Sequence, residues 1–366
     1  MNPAYKKIYT CTPVAFHAND GFHIRDTGLI VSTLRSMGVE SRCIMPLPYY
    51  EDDQREYLIR TEYRNLESAD WWRSLGIDAL VLYSWGAPRY TAIARAVHHA
   101  GILLLVHLDM TANLHGVRNG TIYGFLKDVA VNILRCRHLA YADYISASSP
   151  LIASLQNSIF YGRKIARKAR AFPTPVAKHF CYTSTTKQYR VVCVGRWSDL
   201  PEDAVKRPEF CIRTALELVK LDSEVVVEIH GRVGASVLAI YDAAETGKER
   251  VQLMGTTANH ELPSVYQKAM VSYCSSLSEG THIASAEALC CGCSVAVPPR
   301  ATLSTVQWYT TKQSGAVAEQ DTPESLAKAI KAELCAWKRG ERDAVQIANA
   351  WQNVFHADKA LTRIFN

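Results

Sequence analysis

Short apolar runs that alternate with helical stretches constrain the fold of this chain more than any other feature. Residues 79–83 (ALVLY) and 102–106 (ILLLV) are almost continuously apolar, and residues 90–100 between them have a helical pattern. Strands of a parallel sheet have such sequences because helices cover both faces of the sheet. The pattern therefore predicts an α/β fold built on parallel sheets.

The alternation occurs twice along the chain, which predicts two domains. A chain of 366 residues is long enough for two, and a Pro/Thr/Ser-rich stretch separates the two halves. Both domains are expected to be doubly wound and Rossmann-like, with ligands in a central cleft that they face. The predicted boundaries are 1–172 for the first domain, 173–188 for the linker, 189–342 for the second domain and 343–366 for a C-terminal helix that packs back on the first domain.

The individual elements are predicted from the same periodicity. In the first half, strands are predicted at 8–14, 42–45, 79–83, 102–106 and 144–146, and helices at 28–37, 90–100 and 124–142. In the second half, strands are predicted at 190–194, 225–229, 251–254, 271–274 and 294–297, and helices at 210–221, 264–270 and 343–365.

Composition excludes several classes of protein. The eleven cysteines are scattered and no CxxC pair repeats, which argues against a disulfide framework and a zinc site. The N-terminal stretch is too polar for a signal peptide, and no apolar run approaches the length of a transmembrane segment. We expect a cytoplasmic protein in a reducing compartment.

The formal net charge of +6 includes one dense basic cluster, at residues 161–170, with five cations in ten residues. Such a cluster suits peripheral contact with an anionic membrane, a lipid-linked acceptor or a nucleic acid. It is also typical of a solvated helix before a linker, and we favour that interpretation because no ladder of aromatic residues accompanies the charge.

The stretch 278–289 (SEGTHIASAEAL) contains two carboxylates, Glu279 and Glu287, eight positions apart. The first is predicted in a loop and the second inside a helix, so both acids can lie along one side of a helix start. The backbone N–H groups between them are then free to hold an anion. This combination indicates a nucleotide-sugar site.

Three blocks occur in this order along the chain: 194–196 (VGR) with Lys206 downstream, 251–255 (VQLMG) through 261–266 (ELPSVY), and 276–280 (SLSEG) through 287–292 (EALCCG). Together they resemble the GT-B glycosyltransferases of the retaining family-four type, also called glycosyl transferases group 1. The resemblance spans nearly the whole chain and is strongest over residues 190–300.

The resemblance implies how a nucleotide-sugar donor is held. Arg196 and Lys206 would bind the diphosphate and stabilise the charge that grows on it as the sugar leaves. Glu279 would bind hydroxyls of the sugar, and Glu287 those of the ribose. Arg207 follows Lys206 where the family has glycine, so either cation is a candidate for the phosphate. Further donor contacts are implied for Gly195, Met254, Gly255, Gly280, Thr281 and His282.

The N-terminal half is expected to supply the acceptor side. Gly28 opens the first helix where the family has a glycine loop near the diphosphate, and a plain helix start is the alternative. His107 ends an apolar strand, where the family often has a histidine near the reacting carbon, so it joins Arg196, Lys206 and Glu279 as a predicted catalytic residue. Asp109 and His115 are weaker candidates.

The resemblance implies sugar transfer to an acceptor hydroxyl with retention at the anomeric carbon. The leaving phosphate itself can take the acceptor's proton, and the sequence offers no separate base. No D-x-D occurs in the chain, so we expect a metal-independent enzyme without a cofactor, in which cations and helix N–H groups replace Mg²⁺. The choice between UDP and GDP, the sugar and the acceptor (a glycan, a lipid-linked or a small molecule) stay open.

The sequence departs from the family in the extra residues between Arg196 and Lys206 and in His282, which replaces a common glycine. Three alternatives therefore stay open. One is an epimerase or phosphorylase of the same GT-B fold. A second is a nucleic-acid-modifying glycosyltransferase that uses residues 161–170. The third is a non-catalytic module that binds a sugar nucleotide.

Overall fold

The computed structural model describes residues 5–19, 21–83, 89–108, 122–157 and 161–365. The chain forms two compact units. The first consists of residues 1–177 and 354–366, and the second of residues 178–353. None of the described helices is both long enough and apolar enough to span a membrane.

The first unit contains a sheet whose described strands are all parallel. Their order is β3-β2-β1-β4-β5-β6-β7. The strands are β1 (Ile8–Cys11), β2 (Cys43–Pro46), β3 (Leu58–Thr61), β4 (Ala79–Tyr83), β5 (Leu103–His107), β6 (Tyr144–Ala147) and β7 (Ala169–Ala171).

Helices cover both faces of this sheet and build an apolar core on each face. One core joins Leu80, Leu82 and Val106 of the central strands to Ile93 and Val97. The described helices up to residue 166 are α1 (Asp26–Ser36), α2 (Tyr63–Leu66), α3 (Ala69–Ser74), α4 (Tyr90–His99), α5 (Ile122–Leu139), α6 (Ser149–Asn157) and α7 (Arg163–Ala166).

The second unit contains a sheet of the same kind, with described strands in the order β10-β9-β8-β11-β12-β13, all parallel. Its strands are β8 (Gln188–Val194), β9 (Val226–His230), β10 (Val251–Gly255), β11 (Ala269–Tyr273), β12 (Ser294–Val297) and β13 (Gly315–Val317). Its helices are α8 (Pro208–Leu221), α9 (Ala235–Asp242), α10 (Leu262–Lys268), α11 (Ile283–Cys290), α12 (Ser304–Trp308), α13 (Pro323–Lys338) and most of α14 (Ala344–Phe355).

Local sequence sets the start of α13. The side chain of Thr322 accepts a hydrogen bond from the backbone N–H of Ser325, and Pro323 stands at the first helical position. A hydroxyl at the N-cap satisfies a donor that the helix leaves free, and proline there loses no hydrogen bond. The helix then packs on α8 through Leu326, Ile330 and Leu334 in the core of the second unit.

The predicted helix over 343–365 is two helices, α14 and α15 (Ala357–Phe365), that meet at His356. Val176 donates its N–H to the carbonyl of Phe355 at 2.8 Å and accepts from the N–H of Ala357 at 3.3 Å. These bonds form a parallel bridge between Val176 and His356, which diverts the backbone from helical hydrogen bonding. Helix α15 then packs on α1 in the second apolar core of the first unit.

The predicted α/β class with two parallel, Rossmann-like sheets is confirmed. Strands β3, β7 and β13 have no counterpart in the predictions, and α5 begins two residues before the predicted helix and ends three residues before its end. The short sequences LIRT, ARA and GAV lack the long apolar run on which the strand predictions depend.

Candidate active site

The winding of the second sheet reverses between β8 and β11. Strands β9 and β10 lie on one side of β8, and β11, β12 and β13 lie on the other. In open parallel sheets ligands bind beyond the carboxyl ends of the two strands at such a reversal. Arg196 follows β8 and Glu279 follows β11, so both predicted site residues belong to loops at the reversal.

Glycines let the loop after β8 approach the ends of its neighbours. Gly195 donates its N–H to the carbonyl of His230 at 3.0 Å, and Gly231 donates to the carbonyl of Gly255 at 2.7 Å. Gly231 has a φ of +129°, and a Cβ on it would stand 1.9 Å from the carbonyl oxygen of Gly195. Only glycine fits this position, and this close packing fixes the backbone position of Arg196.

Arg196 pairs with the buried carboxylate of Asp203, which lies in the segment between Arg196 and Lys206. Its Nε stands 2.9 Å from Oδ1 of Asp203, whose other oxygen accepts a hydrogen bond from Ser198 at 2.5 Å. Asp203 and Lys206 belong to one 3-10 helix (Pro201–Lys206) at a spacing of three, which places both side chains on one face. The extra residues thus provide a counter-charge for Arg196, and the Arg196 side chain stays 64% exposed.

Lys206 and Glu279 form an ion pair. Nζ of Lys206 donates to Oε1 of Glu279 at 2.5 Å, and the same oxygen accepts from the hydroxyl of Ser276 at 2.6 Å. Burial raises the pKa of Glu279, but nearby His282, Lys206 and Ser276 outweigh burial and leave the pKa below its usual value. Glu279 is therefore ionised at neutral pH, with its charge held at a fixed place.

Arg207 has a different set of partners. It adopts a left-handed backbone at the N-terminus of α8 with a φ of 53°, and its guanidinium lies 3.6 Å from the ring centroid of Phe210. Its Nε donates to the carbonyl of Ser275 and its Nη1 donates to Asp321 at 2.7 Å. Arg207 thus joins the loop after β11 to the loop between β13 and α13, which carries Asp321.

Arg300 supports the same loop. It donates to the carbonyl of Leu277 at 3.2 Å and to the second oxygen of Asp321. Thr302 also donates to the carbonyl of Leu277, and its own carbonyl accepts the N–H of Glu279 at 3.2 Å. These bonds hold the loop in place on either side of Glu279.

The N-terminus of α11 presents free donors next to Glu279. His282 caps this helix, because its Nδ1 accepts the N–H of Ser285 at 3.3 Å and lies 2.7 Å from the Ser285 hydroxyl. Burial lowers the pKa of His282 to about 4, against the opposing charge of Glu279, so its imidazole is neutral at pH 7. The N–H groups of Gly280, Thr281 and His282 are not bonded to any other described residue.

Glu287 lies inside α11 and is 9% exposed. The hydroxyl of Tyr266, on α10, donates to its Oε2 at 3.4 Å. Met254 and Gly255 end β10, with the Met254 side chain 47% exposed and Gly255 at a φ of +69°. Met254 and Gly255 thus lie at the carboxyl end of a strand, and Glu287 lies on α11.

The predicted residues of the first unit lie in closely packed surroundings. His107 is 1% exposed, with its Nδ1 2.9 Å from the Ser146 hydroxyl and its Nε2 3.2 Å from the Thr174 hydroxyl. Burial lowers its pKa to about 3. A catalytic His107 would therefore have to break one of these two bonds to reach a substrate.

Gly28 lies in the first turns of α1, and a Cβ there would stand 1.9 Å from the carbonyl oxygen of Phe22. Close packing of the preceding turn thus explains this glycine. A pocket of about 350 Å³ beside the start of α1 is lined by Phe16, His17, Arg25 and Asp26 among others. Asp109 and His115 lie outside the described residues.

Four partners of the site were not predicted from the sequence. Ser276 stands three residues before Glu279, and at this spacing a serine hydroxyl can donate a hydrogen bond to the carboxylate, so the sequence could have indicated this contact. Asp203, Arg300 and Asp321 gave no such signal, because their partners are set by the fold.

Residues 188–335 match the family model described as Glycosyl transferases group 1. The resemblance to this family is confirmed for this segment. The matched residues include Arg196, Lys206 and Glu279. No curated protein matches the chain in sequence.

Solved structures share the fold of this chain over nearly its whole length. The apo form of the lipopolysaccharide outer core galactosyltransferase WaaB has a TM-score of 0.68 at 12% identity, over 98% of this chain and 99% of that one. A sucrose-phosphate synthase from Thermosynechococcus elongatus gives 0.65 at 14% identity, over 98% and 97%. HepE of Anabaena in complex with UDP gives 0.64 at 13% identity, over 98% of both chains. Likeness at these identities confirms the GT-B fold, with its two Rossmann-like domains.

Proposed function

We propose that this chain transfers a sugar from a nucleoside diphosphate sugar to an acceptor hydroxyl, with retention at the anomeric carbon. The observation that carries the proposal is the Lys206–Glu279 pair, which joins the loops after β8 and β11 at the reversal of the sheet. The match of residues 188–335 to a glycosyltransferase family supports it. The UDP in the HepE structure makes UDP the first nucleotide to test.

In this proposal, positive groups of the second unit stabilise the departing diphosphate. Arg196 supplies an exposed guanidinium, and Lys206 supplies an ammonium held by Glu279. The free N–H groups at the start of α11 add partial positive charge without needing to reorganise. Arg207 holds the loop through Ser275 and Asp321, so we assign the phosphate contact to Lys206.

The two glutamates bind hydroxyl groups at opposite ends of the donor. A carboxylate that stays ionised accepts hydrogen bonds only, which suits sugar and ribose hydroxyls. We assign Glu279 to the transferred sugar and Glu287 to the ribose. Glu279 does not act as a general acid in this scheme, because its pKa is lowered and it carries no proton at neutral pH.

The proton of the acceptor hydroxyl passes to the leaving phosphate oxygen as the bond between the sugar and that oxygen breaks. No metal is needed in this scheme, so chelation by EDTA should leave the rate unchanged. A large loss of rate with EDTA that Mg²⁺ restores would contradict the metal-independent scheme. NMR of the product gives its anomeric configuration, and an inverted product would rule out retention.

Donor binding is tested by thermal shift. UDP at about 100 times its dissociation constant should stabilise the protein by about 2.7 kcal/mol. Arg196→Ala and Lys206→Ala should each abolish most of the shift. Arg213→Ala is the matched control, since the Arg213 side chain is 55% exposed on α8 and stands 3.8 Å from the carboxylate of Glu209. No shift with UDP or GDP, or an equal loss in the control, would overturn the proposed donor site.

A further inference from the structure

His282 is an unusual residue for the start of a helix. It is the N-cap of α11, where its Nδ1 accepts the N–H of Ser285 at 3.3 Å and lies 2.7 Å from the Ser285 hydroxyl. Serine, threonine, aspartate and asparagine are the side chains that cap helices most favourably. Capping of α11 therefore does not by itself explain an imidazole at this position, which is only 6% exposed.

The cap determines which nitrogen of the imidazole carries the hydrogen. A backbone N–H can only donate, so Nδ1 of His282 must accept and has no hydrogen of its own. Burial lowers the pKa of His282 to about 4, so the ring is neutral at pH 7 and its hydrogen is on Nε2. Nε2 forms no hydrogen bond with the parts of the chain that the structure describes. The cap thus fixes Nε2–H as a donor that is available to a ligand.

Glu279 offers an acceptor beside this donor. Its Oε1 accepts from Lys206 and from Ser276, whereas its Oε2 accepts from none of the described residues. Beyond the effect of burial, the carboxylate of Glu279 and the imidazole of His282, three residues later, each shift the pKa of the other, which requires a short distance between them. The described side-chain atoms that are both enclosed and unbonded include neither Oε2 nor Nε2. Both atoms are therefore open to a ligand.

We propose that His282 and Glu279 together bind one hydroxyl of the donor sugar, and that the side chain of His282 thereby selects the sugar. The inference rests on the proposed function, in which Glu279 binds the transferred sugar. A hydroxyl accepts a hydrogen bond from Nε2–H and donates one to Oε2 at the same time.

This pair of groups restricts the class of sugar. The methylene group of a deoxy sugar can neither donate nor accept, so it leaves both buried polar groups without a partner. The carboxylate of a uronic acid only accepts hydrogen bonds and is repelled by the charge of Glu279. The donor sugar is therefore a neutral sugar with a free hydroxyl at the position that contacts His282.

Substitution by asparagine separates recognition of the sugar from capping of the helix. Oδ1 of asparagine is bonded to Cγ, as Nδ1 of histidine is, and asparagine is a favoured N-cap, but its side chain does not reach as far as Nε2. His282→Asn should therefore keep the thermal midpoint of the wild type. His282→Ala also removes the cap and should lower the midpoint by a few degrees.

Calorimetric titration with UDP, UDP-glucose and UDP-galactose measures what the sugar adds to binding. For the UDP-sugar that binds more tightly, His282→Asn should weaken binding by about fivefold, because a hydrogen bond between neutral groups is lost. Binding of UDP alone should be unchanged. His98→Asn is the matched control, because it makes the same substitution at an exposed histidine of α4 and should change neither affinity. GDP and GDP-mannose replace these probes if only GDP binds.

Deoxy forms of the same UDP-sugar, each lacking one hydroxyl, identify the group that His282 contacts. The wild type should bind one of these analogues at least about tenfold more weakly than the parent, because two hydrogen bonds are lost. In His282→Asn the penalty for that analogue should be smaller, since one of the two bonds is already absent.

The possible failures are distinguishable. Binding of UDP with an unchanged preference for the UDP-sugar in His282→Asn would overturn this inference and leave the proposed function standing. Equal penalties in the wild type and in His282→Asn for every deoxy analogue would also overturn it, because His282 then contacts none of the hydroxyls. Absence of binding by both UDP and GDP would overturn the donor site itself, and this inference with it.

Discussion

The Lys206–Glu279 pair allows a quantitative test of the candidate site. Two unit charges 2.5 Å apart attract by roughly 7 kcal/mol at an effective dielectric constant of 20. The cost of taking both groups out of water offsets much of this attraction. The side chains are 23% and 11% exposed, which places the pair between a surface pair worth under about 1 kcal/mol and a buried one worth about 3–5 kcal/mol. We expect a coupling free energy of about 2 kcal/mol.

A double-mutant cycle with Lys206→Met and Glu279→Gln measures this coupling by urea denaturation at pH 7. Lys338 and Glu224 provide the matched control, because they form a Lys–Glu pair at 2.7 Å whose side chains are 50% and 71% exposed. The control cycle should give at most about 0.5 kcal/mol. Equal coupling in the two cycles would show that burial does not strengthen the Lys206–Glu279 pair.

The pH dependence gives a second measure of the same pair. The pKa of Glu279 in the folded protein lies below its usual value, because His282, Lys206 and Ser276 outweigh burial. Its contribution to stability is therefore full above the unfolded pKa of about 4.3 and is lost as pH falls through the lower folded pKa. The loss of unfolding free energy caused by Lys206→Met should shrink over that window. An equal loss at pH 7 and at pH 4 or below would refute the reasoning.

Two further predictions concern other parts of the molecule. Gly231→Ala puts a Cβ 1.9 Å from the Gly195 carbonyl oxygen and should abolish the UDP-induced thermal shift. Gly340→Ala is the control, because Gly340 has a φ of +71° but nothing lies within 4 Å of the added carbon. It should lower the free energy of unfolding by only about 1 kcal/mol in urea denaturation and leave the thermal shift intact. Burial lowers the pKa of His107 to about 3, so the unfolded chain takes up a proton between pH 6.5 and 3 that the folded protein does not. His107→Gln should therefore flatten the loss of stability with falling pH in that window, and an unchanged slope in urea denaturation would contradict the assigned burial.

The parallel sheets were predictable because their central strands are buried on both faces. Such strands need continuous apolar sequence, so the strand predicted at residues 79–83 has the same bounds as β4. Edge strands lack that requirement. Strand β3 contains Arg60, whose guanidinium is buried but forms an ion pair with Asp53 at 2.7 Å. A buried cation with its partner seven residues away leaves no periodic signal.

The site was only partly predictable for a similar reason. Arg196, Lys206 and Glu279 could be named because they lie in the blocks that resemble the motifs of a known family. Their partners are set by tertiary contacts instead. Asp203 is positioned by a 3-10 helix, and Asp321 reaches Arg207 across 114 residues of sequence. The break at His356 also had no local signal, since it depends on pairing with the distant Val176.

Helix α15, which follows that break, belongs to the core of the first unit but is translated after the second unit. Residues from 354 onward leave the ribosome after the whole of the second unit, yet Leu361 and Phe365 lie in the same core as Ile8 and Leu34. The nascent N-terminal unit therefore exposes the apolar side of α1 until translation has passed residue 365. Domains that finish early usually fold while synthesis continues. Of the two units, the one that is begun first is therefore completed last.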